Sequence, residues 1–159
     1  MTKLLIALGE GGHTKEMITL VDMLGDDFSY GYLIVEDDEV SEAKIRRPGP
    51  VYRITRPRGK EHHFVRDALR TLHSGAQSLR ALRQFRPDAV LSTGPAVAVP
   101  VCVLARIMGI KVIFVETASR VTALSLTGKI MYRVANLFFV QWPELQQRCP
   151  KAVYAGRLF

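Results

Sequence analysis

Apolar and polar positions follow two rhythms along the 159-residue chain, and the rhythm changes repeatedly from one end to the other. Short apolar runs at Lys3–Leu8, Tyr30–Val35, Val51–Ile54, Asp88–Ser92, Lys111–Val115, Leu137–Val140 and Ala152–Tyr154 read as strands. Between them, apolar residues recur at steps of three and four, the period of a half-buried helix. Thr14–Leu24 places Met17, Ile18, Leu20, Val21 and Leu24 on one side and stops at Gly25. His63–Phe85 carries Val65, Leu69, Leu72, Ala76, Leu79 and Leu82 as a stripe expected to pack on the sheet. A polar stripe of Arg66, Arg70, His73, Gln77, Arg80 and Gln84 adjoins it. Further helices are expected from Thr93-Gly94-Pro95 to near Gly109, over Leu124–Ala135, and from Pro143 to Arg148. Residues 40–62 are the least regular stretch, following an acidic loop at Glu36–Glu39. Met17, Met23, Met108 and Met131 fall in apolar helical positions and are expected in the core. Strands alternating with helices imply an α/β fold with one doubly wound parallel sheet, a single domain over residues 1–159.

A parallel sheet sends the carboxyl ends of all its strands to one edge, so turns distant in sequence converge there. Three such turns carry chemistry: Gly9–His13, Ser92–Pro95 and Glu116–Arg120. In the first, a strand ends in glycines and opens a helix, which aims backbone N–H groups at one point and suits a phosphate or diphosphate. Gly9, Gly11, Gly12 and Thr14 are its candidate contacts, and Gly94 adds a second glycine turn. His13 at the lip can hydrogen-bond a phosphate or take a proton near neutral pH. Glu116 is the other acid–base candidate, although a strand-end glutamate also suits the capping of a helix, and Arg120 supplies a cation. This inventory fits activation of a hydroxyl nucleophile on a phosphorylated substrate. Glu10 is expected to face solvent, and Trp142 before Pro143 reads as a packing anchor or an interface residue.

The net charge of +7 is unevenly distributed. Residues 1–43 hold two basic and ten acidic side chains, whereas residues 44–86 hold twelve Lys/Arg against Glu61 and Asp67. That basic middle suits nucleic acid, an anionic membrane surface, an acidic substrate or simply a solvated face, and Arg56, Arg58, Lys60, Arg66 and Arg70 are its candidate membrane contacts. Nucleic acid is disfavoured, because the basic helix lacks interleaved aromatics for stacking. The longest apolar run, Ala96–Ala105, is too short for a membrane span, and the first residues lack the basic start and cleavage site of a signal peptide. Cys102 and Cys149 show no metal-ligand spacing, Cys102 reads as a buried hydrophobe, and no metal or cofactor is expected. A dinucleotide fingerprint fails at Thr14, where a third glycine is needed, and no Walker-type Gly-Lys-Ser/Thr follows the first strand.

Gly9-Glu10-Gly11-Gly12-His13-Thr14-Lys15-Glu16-Met17, Ser92-Thr93-Gly94-Pro95 with Pro100, Glu116–Val121, Leu124–Lys129, Gln141-Trp142 and Gly156-Arg157-Leu158 occur in this order. The series resembles the acceptor-side, membrane-anchoring subunit of the split UDP-N-acetylglucosamine transferase of dolichol-linked oligosaccharide synthesis. It also resembles that subunit's bacterial counterparts in capsule and exopolysaccharide synthesis. More distantly, it is similar to the N-terminal half of the peptidoglycan lipid-linked N-acetylglucosaminyltransferase. The resemblance implies a Rossmann-like N-terminal half of a GT-B glycosyltransferase that binds a polyprenyl-diphosphate-linked acceptor at the cytoplasmic membrane face. It implies a separate donor-binding subunit for the UDP-sugar, no activity without it, and no cofactor. By position, Gly11, Gly12 and His13 would hold the diphosphate, Arg120 would assist, and His13 or Glu116 would be the base. Eukaryotic members carry an N-terminal membrane helix, so this chain is expected to use another anchor. Two other readings compete: a non-catalytic membrane recruiter of the donor-binding partner, and a nucleotide-binding oxidoreductase.

Overall fold

A computed structural model of the protein describes residues 1–57 and 64–158, residues 64–66 as helical backbone alone. Seven strands, β1 (Thr2–Ala7), β2 (Phe28–Val35), β3 (Val51–Ile54), β4 (Ala89–Ser92), β5 (Lys111–Val115), β6 (Leu137–Val140) and β7 (Val153–Tyr154), form one sheet. Six helices connect them: α1 (Gly12–Leu24), α2 (Glu39–Glu42), α3 (Phe64–Phe85), α4 (Ala98–Ile107), α5 (Leu126–Val134) and α6 (Pro143–Arg148). The strand order is β3-β2-β1-β4-β5-β6-β7, and every neighbouring pair is parallel. The chain builds outward from β1 through β2 and β3, then returns across β1 to lay down β4 to β7. That reversal leaves a crevice beyond the carboxyl ends of β1 and β4, the usual ligand position in such sheets.

Side chains of one strand point alternately to the two faces, so β1 feeds two cores. Leu5 and Ala7 join Leu82 and Phe85 of α3, Val101 and Cys102 of α4, and Met131 of α5. Leu4, Ile6 and Leu8 join Met17, Ile18 and Val21 of α1 on the other face. Burial pushes the Cys102 thiol up to about 12, so it packs as an apolar group. That second face is thinly covered. Past α1, Ile113, Leu137 and Phe139 border an apolar cleft of 380 Å³ lined also by Leu20 and Leu24 of α1 and by residues 155–158.

The main departure from expectation lies in α3. Ser74, Ser78, Ala81, Leu82 and Phe85 are buried, but Leu69 and Leu72 are 62% and 72% exposed rather than packed on the sheet. Length explains this: 22 residues span about 33 Å, whereas β3 and β2 beneath it, four and eight residues long, cover roughly 13–27 Å. The N-terminal half of α3 therefore overhangs. Met23 and Met108 are likewise exposed, because each lies at or beyond the last turn of its helix, while Met17 and Met131 are fully buried. The short α2 was not expected; the Asp38 side chain accepts from the Ser41 amide and starts it within the acidic loop.

Candidate functional site

The turn after β1 closes tightly against the turn after β4. A Cβ on Gly9 would lie within 2.8 Å of two Pro95 side-chain atoms, so only glycine permits the approach. His13 and Thr93 clasp each other across the crevice: the His13 ring Nδ1 donates to the Thr93 carbonyl at 2.9 Å, and the Thr93 hydroxyl donates to the His13 carbonyl at 3.0 Å. A carbonyl oxygen only accepts, so Nδ1 carries the proton and Nε2 holds the lone pair of the neutral ring. Nε2 has no hydrogen-bond partner among the described residues. Gly94 sits at φ +105°, and a Cβ there would lie 3.7 Å from His13 Cε1. Gly9, Glu10, His13, Arg56, Gly94 and Pro95 line a cleft of 270 Å³ at this point.

The first turn of α1 opens onto the same loop. Gly11, at φ 66°, is its N-cap, and no side chain caps the amides that follow. Those uncapped N–H groups and the positive end of the helix dipole favour an anion. Thr14 contributes differently from expectation. Its side chain is fully buried and lies 2.7 Å from the Ser41 hydroxyl, which in turn contacts the Gly9 carbonyl at 3.1 Å. Thr14 thus braces the glycine loop from behind.

Glu116 occupies the end of β5 on the same rim and is 1% exposed. Its Oε2 accepts from the Ser125 amide at 3.0 Å, its Oε1 from the Thr117 amide at 3.1 Å, and the Ser125 hydroxyl reaches both oxygens. Ser125 is also the N-cap of α5, its hydroxyl accepting from the Gly128 amide at 2.8 Å. Gly128 is required there, since a Cβ would stand 1.8 Å from Glu116 Oε2. Burial raises the Glu116 carboxyl above its ordinary range, and the Ser125 and Thr117 hydrogen bonds and the Arg120 charge partly offset this. Arg120 itself is exposed, in the turn that follows β5.

The basic segment divides. Arg56 sits at the mouth of the cleft, ion-paired with Glu10 and with Asp37, which makes it part of the rim rather than a free surface cation. Arg70 is exposed on the overhanging half of α3. Arg58, Lys60 and the side chain of Arg66 lie outside the described residues. Beside Arg70, helices α3, α4 and α5 enclose an open groove of 880 Å³ lined mainly by Leu72, Ala76, Leu79, Val103, Leu104 and Ile130. Among the described residues, no helix is long and apolar enough to cross a membrane. Trp142 is an anchor: its Nε1 donates to the Ala118 carbonyl at 2.6 Å and its ring carries the Arg157 guanidinium at 4.3 Å. The roles of Arg56, Ser41 and Glu16 were missed, because each depends on a partner at least 20 residues away or on the far side of a loop.

The family model described as "Oligosaccharide biosynthesis protein Alg14 like" matches residues 4–158. The chain belongs to this family. It is 36% identical to the human UDP-N-acetylglucosamine transferase subunit ALG14, over 98% of this chain and 82% of that one. The alg14 subunit of Schizosaccharomyces pombe is 32% identical, over 96% and 81% of the two chains. Among solved structures, Acinetobacter baumannii MurG superposes with a TM-score of 0.75 at 21% identity, over 91% of this chain and 43% of MurG. A UDP-N-acetylglucosamine 2-epimerase superposes with a TM-score of 0.73 at 15% identity, over 98% of this chain and 48% of its own. These two likenesses concern the fold: this Alg14-family chain has the Rossmann-like sheet that makes up about half of each larger enzyme.

Proposed function

We propose that this chain is the acceptor-binding, membrane-associating subunit of a two-component glycosyltransferase. The pair would transfer a sugar from a UDP-sugar to a polyprenyl-diphosphate-linked acceptor during oligosaccharide or polysaccharide synthesis. One observation carries this reading: at the switch point of the sheet, His13 lines the cleft with an Nε2 free of partners among the described residues, and it belongs to the uncapped first turn of α1. The amides of Gly12, His13 and Thr14 suit the acceptor diphosphate, with Arg120 adding positive charge from the neighbouring turn. The acceptor hydroxyl oxygen bonds to the anomeric carbon of the donor sugar as the bond to the UDP oxygen breaks. His13 Nε2 takes the hydroxyl proton, and the Thr93 carbonyl holds Nδ1–H so that the ring keeps its orientation as it becomes charged.

The donor half of the cleft would come from a second polypeptide carrying the UDP-sugar. The thinly covered sheet face beside residues 155–158 offers that partner an apolar surface. The proposal places the chain at the cytoplasmic face of a membrane; what supports association with a membrane surface is the overhang of α3, where exposed Leu69 and Leu72 stand beside Arg70. The test is reconstitution. This chain co-expressed with a UDP-sugar-binding partner should glycosylate a prenyl-diphosphate-linked sugar, and neither polypeptide should do so alone. Transfer by this chain alone overturns the two-component reading. Full activity in His13→Ala favours a purely recruiting role instead. Leu72→Asp should release the pair from anionic vesicles without lowering its melting temperature.

A further inference from the structure

One turn beyond His13, α1 carries the carboxylate of Glu16, which is 3% exposed. Its Oε1 receives three donors: the Ala118 amide at 2.8 Å, the Thr117 hydroxyl at 3.1 Å and the Gln141 side-chain amide at 3.4 Å. All three come from the carboxyl-end turns of β5 and β6, so a single oxygen ties α1 to both. The same turn is held from its other side. Trp142 Nε1 donates to the Ala118 carbonyl at 2.6 Å, and the Arg120 amide donates to the Thr117 carbonyl at 3.0 Å. Gln141 also donates to the Glu116 carbonyl at 3.1 Å and accepts from the Leu158 amide at 2.9 Å.

The other oxygen, Oε2, is buried with no hydrogen-bond partner among the described residues. A buried acceptor left unmet is destabilising, so the fold retains this carboxylate at a cost. Ion pairing does not explain the retention, for Glu16 forms no salt bridge among the described residues. The geometry assigns Glu16 the role of a positioning residue: it fixes the 117–120 turn against α1, so that Arg120 and His13 meet the acceptor from one rigid frame. For Arg120 as a diphosphate contact, this rests on the function proposed above. For the turn itself, it rests only on the hydrogen bonds.

The assembled pair provides the test, with acceptor KM and kcat measured separately. Glu16→Ala should raise the acceptor KM about tenfold and change kcat by less than about threefold, because it displaces a binding group and not the base. Glu16→Gln keeps an oxygen for the three donors and should restore KM to within about threefold of wild type. On an Arg120→Ala background, Glu16→Ala should add no further increase in KM. Hydrogen exchange supplies a readout independent of activity, since the Ala118 amide should lose protection in Glu16→Ala while β1 amides keep theirs. Should Glu16→Ala fail to fold, Trp142→Phe, which removes the bond to the Ala118 carbonyl, should raise KM in the same direction. Multiplying KM effects in the double variant, or unchanged Ala118 exchange, overturns the positioning role. An Arg120→Ala variant with unchanged acceptor KM instead overturns the diphosphate contact, while the exchange experiment still decides the role of Glu16.

Discussion

His13 and Glu116 stand on the same rim with only β4 between their strands, yet their surroundings commit them to different work. His13 spends one ring nitrogen on the Thr93 carbonyl and keeps the other open beside a cleft. Glu116 spends both oxygens on Ser125 and Thr117, and the glycine of α5 that packs against it leaves no room for movement. Both look like acid–base residues in a sequence. In the folded chain, the hydrogen bonds of Glu116 organise the start of α5, whereas His13 Nε2 has no partner among the described residues, which favours His13 as the base under the proposed function. The general lesson is that a titratable residue at a strand end is judged by the polar atoms it has left over.

The comparison can be broken most sharply at His13. His13→Ala should lower sugar transfer by the assembled pair by about 10²–10⁴-fold, measured in single turnover, with the melting temperature nearly unchanged. A comparable loss of turnover in a fully folded Glu116→Gln would erase the distinction between the two residues. Glu116→Gln should instead act on the fold, losing about 1–3 kcal/mol in denaturant titration as its hydrogen bonds to Ser125 and Thr117 are rearranged. Gly128→Ala should destabilise by about 1–3 kcal/mol, because its Cβ collides with Glu116 Oε2 and the carboxylate must shift.

The smallest effect concerns pH. Burial holds the folded Glu116 carboxyl above its usual value, while the unfolded chain returns it to about 4.3. Between those two values the folded state binds more protons. This contribution is therefore fully present below the unfolded value and is lost as pH rises through the folded one. Denaturation midpoints of wild type should decline across that window relative to those of Glu116→Gln. A wild-type slope no steeper than that of the variant would mean that burial does not govern this carboxyl.

Much of the architecture was legible in the chain. The bounds of β3, β5 and β6 coincide with apolar runs that stop at charged, proline or polar punctuation, and the parallel order placed three distant turns on one edge. Helical periodicity identified α3 but misjudged Leu69 and Leu72, since a period reports a face and not whether anything lies opposite it. The candidate site was legible as a set of positions rather than as a set of bonds. Thr14 was expected at the ligand and is turned inward to Ser41, 27 residues away. Glu16 lay within the motif yet suggested no role, because its donors come from more than 100 residues further along. Local propensity carries no information about such partners.

The pairing of β1 with β4 has a consequence for biosynthesis. Leu4 aligns with Ala89, so the central seam of the sheet cannot close until residue 89 has left the ribosome. Until then the emerging amino-terminal segment can offer only β1, β2 and β3 with α1, α2 and α3, one wing of the sheet left bare where α4 will pack beside α3. Pairings this distant in sequence form slowly. A chaperone that shields that bare wing during translation should therefore raise the yield of folded chain more than one acting after release.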